Sequence, residues 1–345
     1  MRFPVPFLCL SCALPALGCG DRSSMPSAER CDTCEFMPSG PPPGSPVDVH
    51  GQLSVVDGAL VDQNGEPVQL KGVSSMWLNY ETVSYAENKK SLEWMRDNWN
   101  LSLFRAAMGV EPSGAYLQAP EVAKYKVTKI VQNAIELGVY VLIDWHDHNA
   151  QNHLESAQGF FQEMAGEFGE FPNVIYEPFN EPLQIDWSTE LKPYHEAVVE
   201  TIRGVDPDNV VVLGTPQWSQ LVDEAAADPL SGDNLMYTLH FYACTHTEWL
   251  RDSTRTALDA KLPIFVTEWG ATAADGGVED PTPCEDEAQA WHDLMNENGI
   301  SWAAWKLDGC YDGSCILRKG TSPGSPYTDE VLNGHGPFVR DRLVE

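Results

Sequence analysis

Basic residues are scarce in this sequence. Of 345 residues only 21 are Lys or Arg, against 51 Asp or Glu, which gives a formal net charge of −30. Nucleic acid and anionic lipid are both bound through clustered cations, so neither is an expected partner. Long apolar runs are also missing. The leading stretch MRFPVPFLCLSCALPALGC is short and broken by Pro4, Pro6 and Pro15, whereas a membrane-spanning helix needs about 20 apolar residues. No later segment does better. No glycine-rich phosphate loop follows the first apolar run, which removes the main support for a doubly wound nucleotide-binding sheet. There is no internal repeat. Cys31-Asp-Thr-Cys34 stands without a second Cys-x-x-Cys or a nearby His pair, so a zinc ligand set is lacking.

What the ends and cysteines offer is a targeting pattern. One Arg, an apolar stretch and small residues before Cys19 read as an export signal over residues 1–18. Pro15-Ala16-Leu17-Gly18-Cys19 is similar to a bacterial lipoprotein processing box, with Cys19 as the lipidated residue. A Ser/Pro/Gly-rich linker is expected over 19–50 and one catalytic domain over 51–345. The expected location is outside the cytoplasm, as a cell-surface or outer-membrane lipoprotein or a secreted protein. Contact with membrane is then through the lipid alone. Six cysteines remain after Cys9, Cys12 and Cys19. A local disulfide is expected for Cys31 and Cys34. For the other four, three pairings exist, of which Cys310–Cys315 with Cys244–Cys284 is the expected one.

Eight short apolar runs recur at 68–74, 101–107, 139–145, 173–179, 209–215, 235–241, 262–268 and 300–306. Each has the length of a strand buried on both faces, with little strict alternation. Stretches of helical period lie between them. In residues 121–138, Ala123, Val127, Ile130, Val131, Ala134 and Leu137 form one face and Gly138 ends it. Eight strands alternating with helices predict a (β/α)8 TIM barrel, of fold class α/β.

In such a barrel the reactive groups stand where strands end. The predicted ends carry Arg105, His146, Asn180-Glu181, Trp218, His240 with Tyr242, Glu268, and Trp305. A single carboxylate there is often half of a structural ion pair. Two that converge over one mouth suit glycosidic bond cleavage, in which one protonates the leaving oxygen and the other meets positive charge at the anomeric carbon. Glu177 lies inside its strand and is expected to support the site from below. The run His146-Asp147-His148, with His153 beyond, raises a metal; no third converging ligand is evident, and none is expected. Nor is any cofactor.

RAAMGV, IDWHDH, YEPFNEPLQIDWS, GTPQWSQ, YTLHFYACTHTEWLRD and FVTEWG together resemble glycoside hydrolase family five, the cellulase family of clan A, and within it the bacterial endoglucanases. The resemblance spans about residues 65–306. It implies a retaining endo-β-1,4-glucanase acting as a monomer on β-glucan, with Glu181 as acid/base and Glu268 as nucleophile. It implies that Arg105 and Tyr242 hold Glu268, Asn180 reaches the sugar 2-hydroxyl, and His240 orients Glu181. His146, Trp77, Trp218 and Trp305 would bind sugar. Glu181 is expected to be protonated and Glu268 ionised, their carboxyls ~5–5.5 Å apart. Two places depart from the family. Ser74-Ser75-Met76-Trp77-Leu78-Asn79-Tyr80 replaces a His-Gly-Leu-Gln-Trp segment, and Gly309 stands where a substrate-binding Lys is common. Related specificities (mannan, mixed-linkage glucan, xyloglucan) or a non-catalytic carbohydrate-binding lipoprotein remain as alternatives.

Overall fold

The structure, a computed structural model, describes Phe36 and residues 38–345. The expected export signal, Cys19 and the Cys31/Cys34 pair lie outside the described residues. Eight parallel strands form a closed barrel in sequential order. They are β3 (Lys71–Ser75), β4 (Leu103–Gly109), β5 (Tyr140–His146), β6 (Val174–Glu177), β7 (Val211–Leu213), β8 (Leu235–Tyr242), β9 (Ile264–Gly270) and β10 (Trp302–Leu307), with β10 pairing back onto β3. A hairpin, β1 (Ser54–Val56) and β2 (Ala59–Val61), precedes them. A two-residue pair, β11 (Gly309–Cys310) and β12 (Leu317–Arg318), follows.

The helices are α1 (Pro46–His50), α2 (Lys89–Trp99), α3 (Pro120–Leu137), α4 (Leu154–Phe168), α5 (Lys192–Arg203), α6 (Pro216–Ser219), α7 (Val222–Ala227), α8 (Glu248–Asp259), α9 (Glu285–Glu297) and α10 (Gly336–Val344). The predicted helix over 121–138 is α3. Pro120 opens it, and all six predicted face residues are buried. Gly138 closes it at φ 67°, where a side chain would be strained. Every residue of β4, β5 and β9 is buried, as strands covered by helices on one side and packed inside on the other must be.

Seven of the eight strands begin one to three residues later than their apolar runs, and β8 begins with its run at Leu235. Residues at or next to the start of each strand are buried in the barrel floor. Leu70, Leu103, Tyr140, Ile175, Val210, Met236, Phe265 and Ala303 close the barrel floor together with Val47, Leu53, Leu60 and Val68. That floor also corrects the domain boundary. Val47 on α1 is part of it, and the Val47 N–H donates to the Gly138 carbonyl at 2.9 Å. The compact unit therefore begins at Pro38 rather than Gly51. A Pro-rich composition pointed to a linker; one buried Val and one helix turn attach it to the barrel base.

Both predicted disulfides are present. Cys244–Cys284 ties the loop after β8 to the loop after β9, and Cys310–Cys315 closes a small loop beyond β10. Both lie on the side of the barrel where the strands end.

Candidate active site

The chain after β6 does not turn away at once. The N–H groups of Asn180 and Glu181 donate to the carbonyls of Trp145 and Asp147, at 3.2 and 3.3 Å. This carries Glu181 along the end of β5 to the barrel mouth. Glu268 reaches the same mouth from β9, where the register sets His240 of β8 opposite it. Glu181 and Glu268 each offer a carboxylate oxygen, and His240 a ring nitrogen, that lie within 4.8 Å of one another.

Each carboxylate has its own set of partners. The Tyr242 hydroxyl donates to Glu268 Oε1 at 2.7 Å, and Arg105 Nη1 donates to Oε2 at 3.1 Å. Gly270 makes room for that tyrosine, since a Cβ there would lie 2.7 Å from the Tyr242 ring. Glu181 is held by two imidazoles, His240 Nδ1 on Oε1 and His148 Nε2 on Oε2, both at 3.0 Å. In the sequence His148 stands only as a metal-ligand candidate within the histidine run. The signal that marks it is its position two residues past His146, in the loop that Glu181 leans on.

Arg105 is fully buried and divides its charge. Nε donates to Glu177 at 2.7 Å and Nη2 to the Asn180 side-chain oxygen at 2.6 Å, while Nη2 also sits 2.9 Å from Asp144. With Nη1 also donating to the Ser74 hydroxyl at 3.3 Å, the expected contact to Glu268 is therefore one of five. Asp144 is held as well. Glu177 lies under the site, as expected of a residue within its strand. It accepts from Arg105 and from the Thr267 hydroxyl at 2.5 Å. With its oxygen committed to Arg105, Asn180 points its amide nitrogen elsewhere; that buried nitrogen has no acceptor among the described residues.

The proton positions differ from those expected. Burial alone pushes the Glu181 carboxyl up, but the hydrogen bonds and charges of His148 and His240 prevail and hold it at about 2. Burial lowers the affinity of His240 for its proton, yet Glu177 and Glu181 raise it to about 9. Glu268 is raised, by burial and by the charge of Glu181, against the pull of His240, Arg105 and Tyr242. In the free site the exchangeable proton thus rests on His240 and Glu181 is a carboxylate. The reason is the set of partners: Glu181 is hydrogen-bonded by two imidazoles, whereas Glu268 draws on an arginine that also serves Glu177 and Asp144.

The remaining predicted residues line the mouth. His146 is buried with Nδ1 on Asp144 at 2.6 Å, and its ring stacks on Trp305 at 5.3 Å with 9° between planes. Trp77 meets His146 edge-on at 4.2 Å. Trp218 stands apart, 40% exposed. Gln217, Trp218 and Ser219 all have left-handed backbone, φ 57°, 57° and 56°, an arrangement that non-glycine residues rarely hold without support. The support is local. The Ser219 hydroxyl donates to the Asn180 carbonyl at 2.7 Å and the Trp218 N–H to the Pro182 carbonyl at 2.7 Å. The histidines of the 146–153 run do not converge: His146 bonds Asp144, His148 bonds Glu181, and His153 bonds Asp147.

The pattern defining the cellulase family, glycosyl hydrolase family 5, matches residues 61–310. An endoglucanase of Clostridium saccharobutylicum is 45% identical over 297 residues, 85% of this chain and 65% of that protein. Endoglucanase 5 of Pectobacterium carotovorum is 42% identical over 303 residues, 87% of this chain and 59% of that protein. The chain thus spans under two thirds of the length of either. A solved structure from Cytophaga hutchinsonii superposes with a TM-score of 0.82 at 41% identity, covering 87% of this chain and 96% of that one.

Proposed function

The chain belongs to the cellulase family, glycosyl hydrolase family 5, and from that membership we propose that it is a retaining endo-β-1,4-glucanase. The observation that carries the reading is the pair of carboxylates, with oxygens within 4.8 Å across one mouth. Retaining glycosidases place the two carboxyls ~5–5.5 Å apart, inverting ones ~6.5–9.5 Å. The relatives at 42–45% identity are endoglucanases by name, which favours β-1,4-glucan as substrate.

Glu268 attacks the anomeric carbon while the bond to the leaving oxygen breaks and Glu181 supplies that oxygen with a proton. Water then attacks the glycosyl–enzyme ester, and Glu181 takes back a proton. Arg105 and Tyr242 aim Glu268 and stabilise its charge. The unpartnered Asn180 amide suits the sugar 2-hydroxyl. Trp305, Trp77 and Trp218 offer indole faces to glucose rings, and His146 a ring nitrogen to sugar hydroxyls. The proton for the leaving group starts on His240. It reaches Glu181 along their 3.0 Å hydrogen bond, and the pair keeps its single proton whichever atom bears it.

A pH dependence follows. The alkaline limb of kcat/KM is expected near pH 9, where His240 gives up its proton, rather than at the ordinary 6.5 of an imidazole. His240→Gln should move it to lower pH. The same pair affects stability. A raised His240 stabilises fully below about pH 6.5 and loses that contribution as pH rises through about 9. A depressed Glu181 stabilises above about pH 4.5 and loses its contribution as pH falls toward 2. A limb near 6.5 in an initial-rate profile would sink this account.

The activity itself is tested on carboxymethylcellulose, lichenan and mannan, with the product anomer read by NMR. Cleavage of the first with β-product is expected. Faster cleavage of mannan or lichenan would reassign specificity, for which Gly309 in place of the common Lys gives a motive. Binding of cello-oligosaccharides without cleavage of anything would favour the binding-protein alternative. Export, a lipid anchor on Cys19 and a monomeric state are part of the same proposal. No helix among the described residues is long and apolar enough to cross a membrane.

A further inference from the structure

The two oxygens of Glu181 are gripped very differently. His240, on Oε1, is buried, and its far nitrogen is tied to the Thr267 hydroxyl at 2.8 Å. That side is closed. Oε2 meets His148 Nε2 at 3.0 Å, and the His148 side chain is 33% exposed, its ring 5.7 Å from Trp77. Oε2 is therefore the oxygen that faces the cleft, and His148 already stands beside it.

We propose that His148 is a positioning residue for proton transfer: its Nε2–H holds Oε2 of Glu181 at the height of the scissile oxygen until the leaving group becomes the partner. This rests on the acid/base assignment made above. In the step served, the Glu181 carboxyl that His148 holds, protonated from His240, passes its proton to the glycosidic oxygen as the C1–O bond electrons move onto that oxygen and Glu268 bonds to C1. His148 itself neither gains nor loses a proton. The charges around it keep it a donor. Glu181 faces it directly, Glu268 lies across the mouth, Asp147 precedes it in the chain, and the His146 ring stands 6.5 Å away, with His240 beyond Glu181. Burial lowers its proton affinity, but Glu181, Glu268 and Asp147 together raise it above the ordinary value.

Leaving groups separate this role from a structural one. Cellotetraose needs protonation of its leaving oxygen; 2,4-dinitrophenyl β-cellobioside does not, because its phenolate departs unaided. In His148→Phe, kcat/KM for cellotetraose should fall roughly tenfold or more, since misplacing a reacting group by 1 Å can cost about a hundredfold. The loss should lie in kcat, and the loss on the aryl substrate should be several-fold smaller. His148→Gln, which keeps an N–H at that reach, should recover part of the cellotetraose rate. Circular dichroism and the retained aryl activity report folding. Equal losses on both substrates, or no loss on cellotetraose, would overturn the proposal. If the unaltered enzyme cleaves neither substrate, the functional reading fails first and the role of His148 with it.

Discussion

Glu268→Ala should lose roughly 10⁴-fold or more of kcat on cello-oligosaccharides, the scale seen when a covalent nucleophile is removed. The residue is buried at 5% exposure, with Tyr242 and Arg105 both on its oxygens. No other described carboxylate shares those two donors while facing the mouth. The stronger test is the product formed with azide. In Glu268→Ala a small anion can occupy the vacated space and attack the anomeric carbon once, giving the inverted glycosyl azide. In Glu181→Ala the covalent intermediate still forms from 2,4-dinitrophenyl β-cellobioside, whose leaving group needs no proton, and azide attacks it from the other face, giving the retained product. Each outcome follows from which face of the sugar the missing carboxylate served. The same azide anomer from both variants would refute the division of roles. Glu177→Ala should yield no glycosyl azide, because that carboxylate lies beneath Arg105 and does not reach the sugar.

Arg105→Met is expected to destabilise the protein by about 3–5 kcal/mol, the range for breaking a buried charge pair on one side. The chain would be left with Asp144, Glu177 and Glu268, all three buried, and with no cation that contacts more than one of them. Urea unfolding of the purified protein measures it. A contrast is available within the chain. Arg255 pairs with Glu248 and Asp252 at 2.7 and 2.8 Å, with its side chain 45% exposed. Its replacement by Ala should change stability by only about 0–1 kcal/mol, because water and salt screen exposed pairs. Comparable losses at both positions would show that the barrel interior does not isolate the Arg105 cluster from solvent. Arg105→Lys keeps the charge but loses the planar fork that now serves Asp144, Glu177, Asn180 and Glu268. It should recover part of the stability while leaving Glu268 poorly aimed and catalysis impaired.

Much of the molecule was legible before any coordinates. The eight apolar runs overlap the eight barrel strands, because a strand covered on both faces is written as an uninterrupted apolar stretch. Asn180, Glu181, His240, Tyr242, Glu268 and Trp305 all meet at one mouth, because a closed parallel barrel delivers every strand end to the same rim. The helix from Pro120 to Leu137 and both disulfides were likewise readable, the first from its period and its terminal glycine. Where the reading slipped, the cause was contact between distant residues. Residues 45–50 look like linker by composition, yet Val47 is packed into the floor. His148 looked like a stray member of a histidine run, yet it holds Glu181, 33 positions along the chain.

By itself, then, the sequence determined the barrel, its rim and the two acids, since these depend on local period and on strand order. Only the tertiary structure decided where the proton rests. Glu181 and Glu268 are the same residue type, one just past β6 and one within β9, and residue type alone does not say which bears a proton. They differ because two imidazoles hydrogen-bond Glu181, while Glu268 shares one guanidinium with Asp144 and Glu177. Charges packed in a low-dielectric interior act over the space between strands, and that space exists only once the barrel has closed.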